Sequence, residues 1–123
     1  MFISNNIGII ADDLTGADDT ALQFHLRGAN TQILLDPEIL PENKKSTQVW
    51  AIPTETRNID AHTAYERVKQ ATKILSESLG VEYFYKKMDS TLRGHIAVEA
   101  LAMLEVLEWD AAVIIPAFPQ EGR

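Results

Sequence analysis

Ile7-Gly8-Ile9-Ile10-Ala11-Asp12-Asp13-Leu14-Thr15-Gly16-Ala17-Asp18-Asp19 is the stretch on which the fold of this chain turns. Its first five residues form an apolar run with the length and β-branched content of a buried strand. The run breaks into two adjacent carboxylates, Asp12 and Asp13. Thr15, followed three residues later by Asp18, has the hydroxyl-to-acid spacing that opens a helix. A buried strand that ends in acids and turns straight into a helix is how an open α/β sheet begins. Ligands in such sheets bind at the carboxyl ends of the strands. Asp12 and Asp13 therefore stand where chemistry is expected, with solvation of a turn as the plain alternative.

The same alternation continues downstream. Ala17, Ala21 and Phe24, with Leu22 and Leu26, recur at helical spacing until Gly28. Residues 31–35 read as a second strand, 36–46 as a polar loop with Pro37 and Pro41, and 48–52 as a third strand ended by Pro53. Asp60 can cap a long helix with Ala64, Val68, Ala71, Leu75 and Leu79 on its buried stripe, closed by Gly80. A fourth strand is expected over 82–85, a helix with Ala97, Leu101, Leu104 and Leu107 on one face after it, and a last strand over 111–115. Strands alternating with helices predict an α/β fold: a mainly parallel open sheet with helices on its faces, in Rossmann-like layers.

The 123 residues suit one domain with a real core. A net charge of −7 argues against a general nucleic-acid or anionic-membrane partner. The absence of cysteine removes disulfides and thiolate metal sites, and a reducing cytoplasm is the expected location. The first residues lack a basic region, and their apolar run is too short for a signal peptide or a membrane span. No metal site is expected. There is no Gly-x-Gly-x-x-Gly or Walker-type phosphate loop.

Parallel connectivity brings the strand exits to one edge. Arg57, Lys87, Arg93 and Arg123 lie in those turns and would make a local cationic site, suited to a small anion, on an acidic protein. The most informative turn is Lys87-Met-Asp-Ser-Thr-Leu-Arg-Gly94. Ser90 and Thr91 offer hydroxyls there, and backbone N–H groups at the next helix start, with Lys87 and Arg93, would hold a carboxylate or phosphate. In this expectation Arg93 is the main charge. A capped helix start with Ser90 as the cap is the structural alternative. Asp89 could accept a proton from a substrate hydroxyl. Its cationic neighbours Lys87 and Arg93 would keep it ionised and make it a weaker base, leaving it to organise those cations. Successive residues leaving a strand point to opposite sides, so Asp12 and Asp13 divide the work. Asp13 is the expected proton acceptor in the pocket, and its neighbour ties down the turn at Thr15 and Gly16. Glu99, one turn into the third helix, is within reach of the site and is expected to be solvated or paired.

With these turns in hand, the chain resembles the N-terminal domain of the four-carbon acid sugar kinase family. The matching residues are Ala11-Asp-Asp-Leu-Thr-Gly-Ala17, Thr54-Glu-Thr-Arg57, Lys87-Met-Asp-Ser-Thr-Leu-Arg-Gly94 and Pro116-Ala-Phe-Pro-Gln-Glu-Gly-Arg123, in order over nearly the whole chain. The resemblance implies an ATP-dependent kinase acting on 3-oxo-tetronate, threonate or erythronate. It implies catalytic roles for Asp13 and Asp89, and substrate contacts from Asp12, Arg57, Lys87, Ser90, Thr91, Arg93, Gly94 and Arg123. It also implies that ATP with Mg²⁺ is bound mainly by a separate C-terminal nucleotide domain. Residues 1–123 are then expected to be a partial N-terminal acid-sugar-binding domain without that second domain, inactive alone and prone to self-association. Two rivals also place acids after a first strand. A haloacid-dehalogenase-type phosphatase needs Asp-x-Asp-x-Thr, and Ala11 stands where its nucleophile would be. A receiver-like phospho-acceptor wants an aspartate ending the third strand, where this chain has Pro53 and Thr54.

Overall fold

The fold is seen in a computed structural model that describes residues 6–42, 44–116, 120 and 122. The chain runs β1 (Ile7–Ala11), α1 (Leu14–His25), β2 (Thr31–Ile33), β3 (Val49–Pro53), α2 (Ala61–Lys73), β4 (Tyr83–Lys87) and α3 (Ile96–Leu107). A π-helical turn, Ile74–Ser78, continues α2. Among the described residues the four strands make one all-parallel sheet in the order β2-β3-β1-β4. The expected α/β layering with a parallel sheet is what the chain adopts.

The opening stretch is central because β1 is flanked on both sides. Ile9 lies opposite Ala51 of β3 and Tyr85 of β4, and the register holds along the strand. Alternation then sorts the side chains. Ile9 and Ala11, with Val49 and Ala51 of β3, face α1 and pack on Ala17 and Ala21. Ile10, Trp50 and Ile52 face the other way, onto Val68, Ala71 and Leu75, with Ala102 and Met103 of α3 in the same cluster. A Cβ added at Gly8 would come within 2.9 Å of Val81 Cγ1 and 3.0 Å of Leu75 Cδ1, so the π-helical turn is packed directly on that residue. Asp60 caps α2 by accepting from the Thr63 N–H at 2.9 Å, as the sequence predicts.

Four expectations are corrected. Leu22 and Leu26 lie on the exposed side of α1, because Ala17 and Ala21, with Phe24 beside them, are what meets the sheet. Helix α3 buries Glu99, Ala102 and Met103 and leaves Leu101 half-exposed. It is apolar nearly all round, so hydrophobicity selects no face, and a buried acid and small residues set the contact instead. Helix α3 also begins at Ile96 with His95 as its cap residue, so residues 90–94 form a turn before the helix rather than its N-terminus. Residues 111–115 are exposed and pair with nothing in the sheet; β4 is its edge among the described residues. A β-branched run states a strand's preference but not its partner.

Candidate functional site

The sheet order decides where a ligand can sit. From β1 the chain crosses to the α1 face, whereas from its neighbours β3 and β4 it crosses to the face covered by α2 and α3. Connections that leave adjacent strands on opposite faces open a crevice at the strands' carboxyl ends. Three polar turns meet in this crevice. The same order sets the chain apart from receiver domains, where β1 lies between β2 and β3.

The β1 exit supplies Asp12 and Asp13. Asp12 is buried, with both oxygens engaged by Arg57: Nη2 donates to Oδ1 at 2.9 Å and Nε to Oδ2 at 3.1 Å. Asp13 is the N-cap of α1. Its Oδ1 accepts from the Gly16 N–H at 2.8 Å, and its Oδ2 lies 3.2 Å from Arg57 Nη1. The residue that ties down the turn is thus Asp13 itself, not its neighbour. It also lines the crevice and is partly exposed. Asp12 lies beneath it, buried where Asp13 is partly exposed. A Cβ at residue 16 would stand 2.7 Å from Asp13 Oδ1 and 3.2 Å from Lys87 Cγ, so a side chain there would displace the Asp13 cap.

The β3 exit delivers Arg57. Its backbone and that of Thr56 donate to the Asp12 carbonyl, at 3.4 and 3.0 Å. Hydrogen bonding to Asp12 raises the Arg57 guanidinium above its ordinary value, against the opposing effect of burial, and Asp12, Asp13 and Asp89 add charge attraction. The β4 exit delivers Lys87, Asp89 and Arg93. Asp89 is buried and receives Arg93 in a two-point fork, Nε to Oδ2 and Nη2 to Oδ1, both at 2.9 Å. The Thr91 hydroxyl and the backbone N–H groups of Thr91 and Arg93 also donate to Asp89 Oδ2. The Arg93 fork, then the Thr91 hydroxyl, hold the Asp89 carboxyl far below the usual carboxylate range.

This geometry corrects the expected role of residues 90–94. The N–H groups of Thr91 and Arg93 and the Nε and Nη2 of Arg93 turn onto the Asp89 carboxylate, and the Leu92 N–H donates to the Asp89 carbonyl, while the Arg93 side chain stays largely exposed at the cleft. Lys87 does not pair with Asp89; its Nζ donates to the Met88 carbonyl at 2.7 Å. Ser90 and Arg93 line the crevice, whereas Thr91 and Gly94 serve the turn. Gly94 has φ +96°, and a Cβ there would stand 3.1 Å from Asp12 Oδ2, so the β4 turn closes directly onto the Asp12–Arg57 pair. Arg123 lies outside the described residues.

The resulting cleft, of about 1360 Å³, runs from this charged end between α1, β4 and α3 to Trp109 and residues 111–116. Among the described residues, Lys87 is the cation lining it that has no carboxylate within ion-pair distance. No group of three or more His, Asp or Glu there is placed to hold a metal ion, and no described helix is long and apolar enough to cross a membrane. The Asp13 carboxylate stands at the N-terminus of α1, where it takes the Gly16 N–H. Glu99, expected within reach of the site and solvated or paired, is buried and paired behind it, and its partners Lys86 and Thr56 are what the sequence missed. The one signal for that cluster was Glu99 itself, an acid one turn into a mostly apolar helix.

Residues 7–123 match the family model described as "Sugar-binding N-terminal domain". The D-erythronate kinase of Heliobacterium modesticaldum is 41% identical over 122 residues, covering 97% of this chain and 27% of its own length. A crystal structure from Salmonella typhimurium LT2 superposes with a TM-score of 0.84 at 31% identity, over 98% of this chain and 29% of that one. A domain of unknown function from Bordetella bronchiseptica, solved with bound citrate as a domain-swapped dimer, gives a TM-score of 0.75 at 37% identity, over 81% of this chain and 25% of that one. The chain spans 27–30% of the length of the curated relatives named D-erythronate, D-threonate and 3-oxo-tetronate kinase. It belongs to the sugar-binding N-terminal domain family found in these acid sugar kinases.

Proposed function

We propose that this chain is the acid-sugar-binding portion of an ATP-dependent kinase that phosphorylates a four-carbon acid sugar: erythronate, threonate or 3-oxo-tetronate. The observation that carries the reading is the charge pattern of the crevice. Asp12, Asp13 and Asp89 neutralise Arg57 and Arg93 internally, which leaves the Lys87 ammonium for a single carboxylate and polar groups for hydroxyls. A site of that balance suits a small polyhydroxy acid better than a polyanion. The names of the relatives point to the same chemistry.

In this reading the carboxylate of the sugar lies toward Lys87 and Ser90. Asp13, the acid with an exposed face, accepts the proton of the attacking hydroxyl and orients its oxygen. Asp12 and Asp89 hold the two arginines in place. When bound, ATP with Mg²⁺ supplies the phosphoryl group and neutralises its charge. The donors of this chain do not fit that role, so most of the nucleotide site belongs to a part of the enzyme outside these residues.

Calorimetric titration of the chain with D-erythronate, D-threonate and the neutral tetritol erythritol tests the acid-binding reading. Binding of at least one acid and none of erythritol is expected. Equal heats for acid and tetritol, or none for any acid, would refute it.

A further inference from the structure

Behind the charged crevice, on the α2 and α3 side of the sheet, lies a second polar group that the proposed chemistry does not use. Glu99 of α3 is buried, and each of its oxygens meets a different strand exit. Oε2 accepts from the Thr56 hydroxyl at 3.0 Å, next to Arg57 in the β3 exit. Oε1 lies 3.1 Å from Lys86 Nζ, too poorly aligned for a hydrogen bond but close enough for charge attraction. Lys86 Nζ donates to the Lys87 carbonyl at 3.1 Å, which fixes the start of the β4 exit. On the other side, Thr56 Oγ1 is 2.8 Å from Thr54 Oγ1, which is itself 3.0 Å from the Ala11 carbonyl of β1. A carboxylate only accepts, so the Thr56 proton goes to Glu99, and Thr54 donates to the Ala11 carbonyl or to Thr56. One line of contacts thus crosses β1, β3, α3 and β4 under the site.

We propose that Glu99, acting through Thr56 and Lys86, is a positioning residue that holds Arg57 in register with Asp12 and Asp13. The backbone between the two threonines supplies the second observation. Glu55 has φ +52°, a left-handed conformation that a non-glycine residue adopts at a cost. A loop in that state relaxes unless both flanks are fixed. Thr54 and Thr56 are the fixed flanks, and Arg67 Nη1 reaches only the Thr54 and Glu55 carbonyls, at 3.4 and 3.3 Å. An acid this deeply buried is costly unless paired. Here its pairing is placed where it couples the two loops that carry the cations of the crevice.

The test reads the Arg57 Nε–H directly by NMR in the ligand-free chain, its resonance assigned by its loss in Arg57→Lys. Thr56→Val removes the hydroxyl but leaves the Glu99–Lys86 pair, and Glu99→Gln removes the charge. Either change should speed solvent exchange of the Arg57 Nε–H at least tenfold, while the amide spectrum of α1 and β2 is kept. Thr56→Ser should restore exchange to within twofold of wild type. Should Glu99→Gln not fold, Thr56→Val decides, with Thr56→Ala in reserve. A folded Thr56→Val or Thr56→Ala chain whose Arg57 exchange stays within twofold of wild type overturns the proposal. The consequence for ligand rests on the acid-binding reading and is measured separately: D-erythronate affinity should fall in Thr56→Val and return in Thr56→Ser. Altered exchange in a chain whose wild type binds neither D-erythronate nor D-threonate would sink the ligand reading and leave the positioning role standing.

Discussion

At the residue scale, three aspartates converge on two arginines, and their burial separates their roles. Asp12 and Asp89 are buried and each receives a full guanidinium fork, whereas Asp13 shares one arginine nitrogen, caps α1 and faces the cleft. A proton acceptor must reach its substrate, so Asp13, which faces the cleft, is the candidate. In a full-length enzyme of the proposed activity, Asp13→Asn should lower kcat about a hundredfold or more, the scale of general-base loss, with a modest change in sugar affinity. A larger kcat loss in Asp89→Asn would reverse the assignment. Asp89 has its own signature. Its carboxyl is held below the ordinary value by the Arg93 fork and then by Thr91, so the unfolded chain takes up that proton more readily than the folded one. The stabilisation is complete above the unfolded value, about pH 4, and is lost as pH falls through the lower folded value. Denaturant titrations should therefore show Asp89→Asn less stable than wild type by an amount that is flat from neutrality to about pH 5 and shrinks only in stronger acid. A gap that widened on acidification would contradict the pairing. The sequence named all three acids and Arg57 from their places at strand ends. It could not assign their partners, because Asp12–Arg57 is a contact across 45 residues that only the sheet order creates.

At the scale of elements, the legible features were those with a strong local cause. Strand β1, the stripe of α2 with its Asp60 cap, and the stop at Gly28 follow from runs, spacing and punctuation, and each lies where expected. Helix α3 was misread because a uniformly apolar helix carries no facial signal. Its start was placed too early because the turn over residues 89–94 satisfies its own donors with Asp89, which no motif announces. That turn is a separate element, and its shape depends on Gly94. Gly94→Ala forces a side chain into φ +96° and within 3.1 Å of Asp12 Oδ2. It should destabilise the chain by about 1–3 kcal/mol, the cost of a strained backbone residue, and should weaken D-erythronate binding by displacing the Asp12–Arg57 pair. Unchanged stability in a thermal melt, together with wild-type binding, would show that the turn does not close on that pair.

At the scale of the whole molecule, parallel alternation was legible and strand order was not, since several orders satisfy the same sequence of elements. The order matters because it leaves one flank of the sheet bare. The α1-side core draws on β1 and β3, and no β4 residue joins it. Tyr83 and Tyr85 of β4 are therefore half-exposed on that face, while Val113 and Ile115 in the unpaired run are 88% and 78% exposed. An exposed parallel edge beside β-branched residues is a template for pairing with another chain. The chain in solution is therefore expected to associate with itself, and not to turn over acid sugar with ATP and Mg²⁺, because phosphoryl transfer needs positioning and charge neutralisation at the nucleotide. A rate above the no-protein control would contradict the second expectation. For the first, sedimentation velocity over a concentration series should show species larger than a monomer. Val113→Lys combined with Ile115→Lys should shift the distribution toward monomer, since charge on an exposed run opposes edge pairing. Neither residue lies in the hydrophobic clusters, so the fold is expected to survive the double change. A monodisperse wild-type monomer would mean that the bare flank is tolerated in water. Association that persisted in the lysine variant would instead move the contact to the other edge of the sheet, where Leu26, Leu35 and Ile39 are exposed.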